Sequence, residues 1–151
     1  MNTHFVAIKH KGFDKDGRGI SAADGIKALL KAGIWPLFER TRCKNMVAPD
    51  GKVLAYAAGT GEGMVLAQAE IADVVQWNRR LAEKYPLLMD GVPDKVLILK
   101  NGQFLGSPVL VRDVIGKTSF APQNLKKWGT CFMGGMRSLN ERDFKILSGK
   151  G

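Results

Sequence analysis

The spacing of apolar residues changes along this chain, and each change of period predicts an element. "HFVAIKH" is a short β-rich run and predicts a strand, and "KGFDKDGRGIS" after it carries the Gly, Asp and Ser of a polar loop. From Ser21 the pattern becomes helical, with Ile26, Leu29 and Leu30 on one face, Ser21 and Asp24 at capping-box spacing, and Gly33 in the place of a C-cap glycine. Pro36 blocks any continuation. Residues 37–51 read as a loop, with Arg40, Arg42 and Lys44 at alternate positions and "PDG" as a turn.

Beyond it, "KVLAYAAG" and "GMVLAQAEIAD" predict two strands joined by the glycine-rich "GTGEG", an antiparallel hairpin. "VVQWNRRLAEKYP" predicts a short helix. In "DKVLILKNGQFLGSPVLVRDVI" the Asn101-Gly102 pair between apolar runs signals a second hairpin, with Pro108 starting or edging its second strand. "TSFAPQNLKKWGTCFMGGMR" alternates turn residues with isolated aromatics and assigns itself to no regular element. Ser138 and Glu141 repeat the capping-box spacing ahead of a last helix, whose Leu139, Phe144 and Leu147 can dock on a core. There is no internal repeat and no low-complexity linker. The order β-α-β-β-(α)-β-β-α with several hairpins points to an α+β fold whose strands curl into a small barrel with helices packed outside.

At 151 residues the chain is expected to form a single domain over 1–151, large enough for a continuous core without a disulfide or structural metal. Lys and Arg number 23 against 14 Asp and Glu, a net charge of +9 that attracts polyanions, nucleic acid foremost. No apolar run reaches the ~18 to 20 residues of a membrane helix, and the start of the chain lacks a secretory pattern, so a cytoplasmic protein is expected. Cys43 and Cys131 are too far apart, with only His4 and His10 for company, to suggest a zinc site; both read as reduced thiols.

The familiar catalytic motifs are missing. "GTGEG" lacks the Lys-Ser/Thr of a P-loop and precedes a strand, which also excludes a dinucleotide fingerprint. No G-x-S-x-G elbow or H-E-x-x-H helix occurs, and "HKGFDKDGRG" lacks the closing glutamate of a calcium loop. No catalytic residue, cofactor or metal is therefore expected. What remains are aromatics in polar or basic surroundings: Trp35, Tyr56, Trp77, Trp128 and Phe132. Aromatic faces can sandwich a nucleobase, each stacked base contributing ~1 to 3 kcal/mol. Core packing is the competing use of each of these side chains.

"GIKALLKAGIWPLFERTRCKNM" followed by "DGKVLAYAAGTGEGMVLAQAEI" resembles the first half of YTH and EVE domains: helix, tryptophan, basic loop, strand with an aromatic, strand after glycine. "GMRSLNERDFKIL" resembles the end of an EVE domain, and together the matches span roughly residues 4 to 147. The resemblance implies a PUA-like fold and a module that binds a modified, methylated base in DNA or RNA. Trp35 matches the cage tryptophan after the first helix; Tyr56, Ala57, Ala58 and Gly59 match the strand beside the pocket; Trp77 stands in the loop where YTH domains place another cage aromatic. Trp128 offers a further wall, and Arg40, Arg42, Lys44 and Arg137 are candidate phosphate ligands. The "PLFERTRCKN" segment and the "KKWGTCFMGGMR" segment depart from the pattern. The alternative is a small nucleotide- or RNA-directed hydrolase on a PUA/ASCH-like scaffold, for which Glu62, Asp73 and Lys100 are the nominal acid–base residues.

Overall fold

The first apolar run forms β1 (His4–Lys9), and it lies near the middle of a curled sheet completed by β4 (Ile34–Leu37), β5 (Lys52–Ala57), β6 (Met64–Gln76), β7 (Lys95–Leu110) and β8 (Met136–Leu139). The computed structural model describes residues 4–13, 16–59, 63–85 and 92–150. The strands run in the order β4-β7-β6-β5-β1-β8, and β1 with β5 is the parallel pair among antiparallel neighbours. Two short strands, β2 (Gly12–Phe13) and β3 (Gly19–Ile20), form a separate ribbon inside the segment read as a polar loop. Helices α1 (Ala22–Ala32), α2 (Arg79–Lys84), α3 (Val111–Val114) and α4 (Glu141–Leu147) lie around the sheet, with 3-10 turns at Ile115–Lys117 and Leu125–Phe132. The architecture is α+β, as the pattern predicts.

Helix α1 is specified locally. The Ser21 hydroxyl accepts the Asp24 N–H at 3.1 Å, and Gly33 adopts the left-handed backbone (φ 75°) that lets its N–H reach the carbonyls of Leu29 and Leu30. The sheet alternates with period two and so has two buried faces. Phe5, Ala7, Val53 and Ala55 pack with Ile26, Leu29 and Trp35, whereas Val6, Leu54 and Tyr56 pack with Phe132, Phe144 and Leu147.

Four expectations are corrected by pairing that the sequence does not display. Ile34–Leu37 is a strand that the sequence pattern does not predict, and it takes Leu37 from the segment 37–51 read as a loop; it is the outermost strand beside β7, where Pro36 removes no essential ladder donor. Asn101-Gly102 makes no hairpin, because β7 runs on through both residues; from Glu70↔Lys100 to Gln68↔Gln103 it carries one residue more than β6, and Asn101 (φ 53°) absorbs the excess as a bulge. Val74–Gln76 belong to β6, and Val111–Val114 is helical instead of extended, so each neighbouring element is shorter than the apolar run suggests. The last helix is capped by Asn140, whose Oδ1 accepts the Asp143 N–H at 2.7 Å; Ser138 is in β8, opposite Phe5 of β1. The predicted pairing of β5 with β6 is observed, while Thr60, Gly61 and Glu62 of their connection lie outside the described residues. Among the described residues no helix is long and apolar enough to cross a membrane.

Candidate functional site

Where β1 ends, α1, β4 and two loops enclose a cavity of about 180 Å³, lined by Ile8, Lys9, His10, Leu29, Trp35, Pro36, Phe38, Thr41 and Gly135. Its walls follow from the fold. Trp35 is placed by the pairing of β4 with β7, opposite Leu97, and is 4% exposed, so it serves the core and walls the cavity at once. Phe38 and Thr41 close a tight turn: the Phe38 N–H donates to Thr41 Oγ1 at 2.8 Å and the Thr41 N–H to the Phe38 carbonyl at 3.0 Å. The opposite lip is Gly134-Gly135. The Gly135 carbonyl accepts the Ile8 N–H and the Gly134 carbonyl accepts the Arg42 N–H, each at 2.9 Å. The Lys9 side chain lies along α1 at Gly25, whose missing Cβ would stand 2.8 Å from the lysine Cε, and Lys9 Nζ donates to the His10 carbonyl at 3.1 Å.

Arg40 and Arg42 are exposed on the turn beside this cavity, and the Arg42 side chain crosses directly over Gly134. Lys44 is already engaged, 3.0 Å from the Asp94 carboxylate. Ala58, just after β5, donates its N–H to the Lys9 carbonyl at 2.9 Å; Ala57, Ala58 and Gly59 are not among the residues that line the cavity.

The other nominated aromatics are elsewhere. Tyr56 faces the opposite side of the sheet from Trp35, stacked on Phe132 with ring centroids 4.7 Å apart, and Trp128 meets both edge-on. Burial pushes the Tyr56 phenol up to about 12. Arg137 belongs to this second cluster: its guanidinium carbon lies 4.2 Å from the Phe120 ring centroid and Nη1 donates to the Cys131 carbonyl at 3.3 Å. Trp77 follows β6, its backbone N–H donating to the Asp94 carbonyl at 3.1 Å, and does not line the cavity. The structure thus brings Trp35 together with Arg40 and Arg42, and sets Tyr56, Trp128 and Arg137 in a separate aromatic cluster.

Sequence reasoning missed Phe38, Thr41, Lys9, His10 and Gly135. The first two had a signal in "PLFERTR", an apolar residue three before a threonine at the head of the basic run; the others depend on long-range pairing. Glu62, one of the nominal acid–base residues, is outside the described residues; Asp73 and Lys100 are exposed, the former accepting the Val74 N–H and the latter 3.3 Å from Asp50. Among the described residues no three His, Cys, Asp or Glu gather as metal ligands.

No family model and no curated protein matches the chain. Solved structures do match. An ASCH protein from Zymomonas mobilis superposes with a TM-score of 0.60 at 13% identity, covering 97% of this chain and 94% of the other. A single-residue mutant of the same protein gives 0.57 at 10% identity, with 97% of each chain covered. The N-terminal domain of McrB from Staphylothermus marinus gives 0.49 at 12% identity, over 100% of this chain and 96% of the other. At such identities the likeness is one of fold: the curled sheet with its peripheral helices is PUA-like.

Proposed function

We propose that this PUA-like chain is a nucleic-acid-binding module, EVE-like in its reading head, that takes one modified base of DNA or RNA into the cavity beside Trp35. The observation that carries the reading is the joining of an aromatic-walled cavity to a turn bearing two exposed arginines, in a chain of net charge +9. Drug-sized ligands occupy pockets of roughly 300–1,000 Å³. A cavity of about 180 Å³ suits a single ring system and not a whole nucleotide. Trp35 and Phe38 supply apolar wall, and the Thr41 hydroxyl, whose oxygen already accepts the Phe38 N–H, keeps its own hydrogen for a ligand acceptor. A methyl group buried against such walls gains about 0.8 kcal/mol, enough to favour a methylated base severalfold.

Arg40 and Arg42 hold the flanking phosphates, which fix register without reading sequence. Lys44, held by Asp94, contributes less, and Arg137, Trp128 and Tyr56 act as scaffold for the opposite face. Among the described residues no carboxylate lines the cavity.

The test is binding of single-stranded oligonucleotides carrying one plain or methylated cytosine or adenine, at two salt concentrations. Trp35→Ala would cost roughly 3–5 kcal/mol of stability and confuse the result, so the informative variants are Phe38→Ala and Trp35→Phe. Preference for one methylated base, reduced in both variants with total affinity for plain strands retained, is the expected result. Equal affinity of the native protein for every oligonucleotide would overturn it.

A further inference from the structure

Tryptophan in a small domain usually serves the core, and Trp35 and Trp128 do so: each packs in one of the two clusters that flank the sheet. Trp77 packs with neither cluster, although it is half-buried. Among the described residues its indole N–H has no acceptor, where an indole taken into a core normally finds one.

Asp94 fixes where this tryptophan stands. The Trp77 N–H donates to the Asp94 carbonyl at 3.1 Å, the Asp94 N–H donates to the Leu37 carbonyl at 2.8 Å, and the Asp94 carboxylate holds Lys44 at 3.0 Å. Beside it, Lys95 Nζ donates to Asn45 Oδ1 at 3.3 Å. These bonds tie the end of β6 to the end of β4 and to the loop that carries Arg40 and Arg42. Two inter-strand steps of about 4.8 Å each separate the Trp77 backbone from Leu37, the residue before the cavity wall Phe38. On its far side Trp77 leads into α2, whose Arg79 and Arg80 are exposed and, among the described residues, pair with no carboxylate.

An indole that neither core claims, set between two pairs of arginines, suits a ligand that combines flat rings with regularly spaced negative charge. Single-stranded nucleic acid has that chemistry: arginines track its phosphates and an aromatic side chain takes the face of a base. In a duplex those faces are covered by the neighbouring bases, so the indole favours an unpaired strand.

We propose that a single strand runs from the cavity past the Lys44–Asp94 contact to α2, and that Trp77 stacks on an unpaired base flanking the one in the cavity. Arg79 and Arg80 meet the phosphates beyond it. The inference rests on the cavity being the base site, and it extends that site from one base to a short stretch of strand.

The experiment compares the native chain with Trp77→Ala and Trp77→Phe on three probes that share one methylated cytosine or adenine. They are the mononucleotide, a single-stranded oligonucleotide, and the same oligonucleotide with abasic positions on both sides of the methylated base. The expected result is a loss of about tenfold for Trp77→Ala on the intact oligonucleotide, the size of one lost stack. Affinity for the mononucleotide and for the abasic strand stays unchanged, preference for the methylated over the plain base is retained, and Trp77→Phe keeps most of the native affinity. The mononucleotide also controls for folding, because a misfolded chain loses it too. Equal affinities of native and Trp77→Ala for the intact oligonucleotide would overturn the proposal, as would an equal loss on the mononucleotide or the abasic strand. Native protein that prefers no methylated probe would instead remove the base-site reading, and this extension with it.

Discussion

Gly134→Ala tests whether the lip of the cavity sets the position of Arg42. A Cβ at residue 134 would stand 2.7 Å from Arg42 Cδ and 2.8 Å from its Cγ and Nε, closer than such atoms approach. All three atoms belong to an exposed, flexible side chain, so the arginine can swing away and the steric part of the cost is small. The backbone part is not avoidable: with φ at 87°, alanine loses about 1–2 kcal/mol relative to glycine. For a chain of this size each kcal/mol lowers Tm by roughly 2–4 °C, giving a drop of about 2–8 °C. Displacing the guanidinium should also remove one phosphate contact and reduce the slope of log K against log salt by about 0.9 on duplex DNA. Arg42→Ala should give the same change of slope with little change in Tm. Because both substitutions act on one contact, the double variant should bind no more weakly than the weaker single one. Losses of affinity that add across the pair, or a Gly134→Ala chain that melts lower yet keeps the native salt slope, would refute the reasoning.

Tyr56→Phe should alter the alkaline limb of the stability curve. An unfolded tyrosine ionises near about 10, whereas burial pushes Tyr56 up to about 12. Between these values the folded state keeps a proton that the unfolded state has released, so the contribution present below about pH 10 is lost as pH rises toward 12; urea midpoints at pH 9 and pH 11 should converge less in the native protein than in the phenylalanine variant. Asp143→Ala should cost about 1–3 kcal/mol in urea unfolding, since this buried carboxylate accepts both the Ser119 N–H, at 2.9 Å, and the Ser119 hydroxyl. Ser119→Ala, which keeps the backbone bond, should cost less; equal stability of Asp143→Ala and the native chain would show that the tie between α4 and residue 119 contributes nothing.

What was legible beforehand was local. Ser21 and Gly33 fix the ends of α1 through contacts within a few residues, and their chemistry is visible in any reading of that segment. Asn101-Gly102 shows the limit: the pair signals a positive φ, and both a hairpin turn and a bulge require one. Only the partner strand decides, and β6 passes the pair without a break. Ser138 carries the capping-box spacing in the sequence, but pairing with β1 claims it for the sheet, and Asn140 caps the helix instead. The candidate site divided for the same reason. Trp35 and Tyr56 look alike as aromatics near apolar runs, but the alternation of β5 and the register of β4 send them to opposite faces. Lys9, His10 and Gly135 become cavity walls only where the end of β1 meets the Gly134-Gly135 lip, a long-range meeting that no local pattern shows.

The position of β1 between β5 and β8 bears on how the chain is made. His4 aligns with Leu139, 135 residues later, and α4 follows immediately behind that partner strand. During synthesis β1 can find β5 early, yet its other edge stays open until almost the whole described chain has emerged. Loop closure over that distance makes the last pairing slow relative to the local helix and β5–β6 contacts. In the interval the nascent protein exposes an unpaired strand edge, the kind of surface on which chains associate before they finish folding.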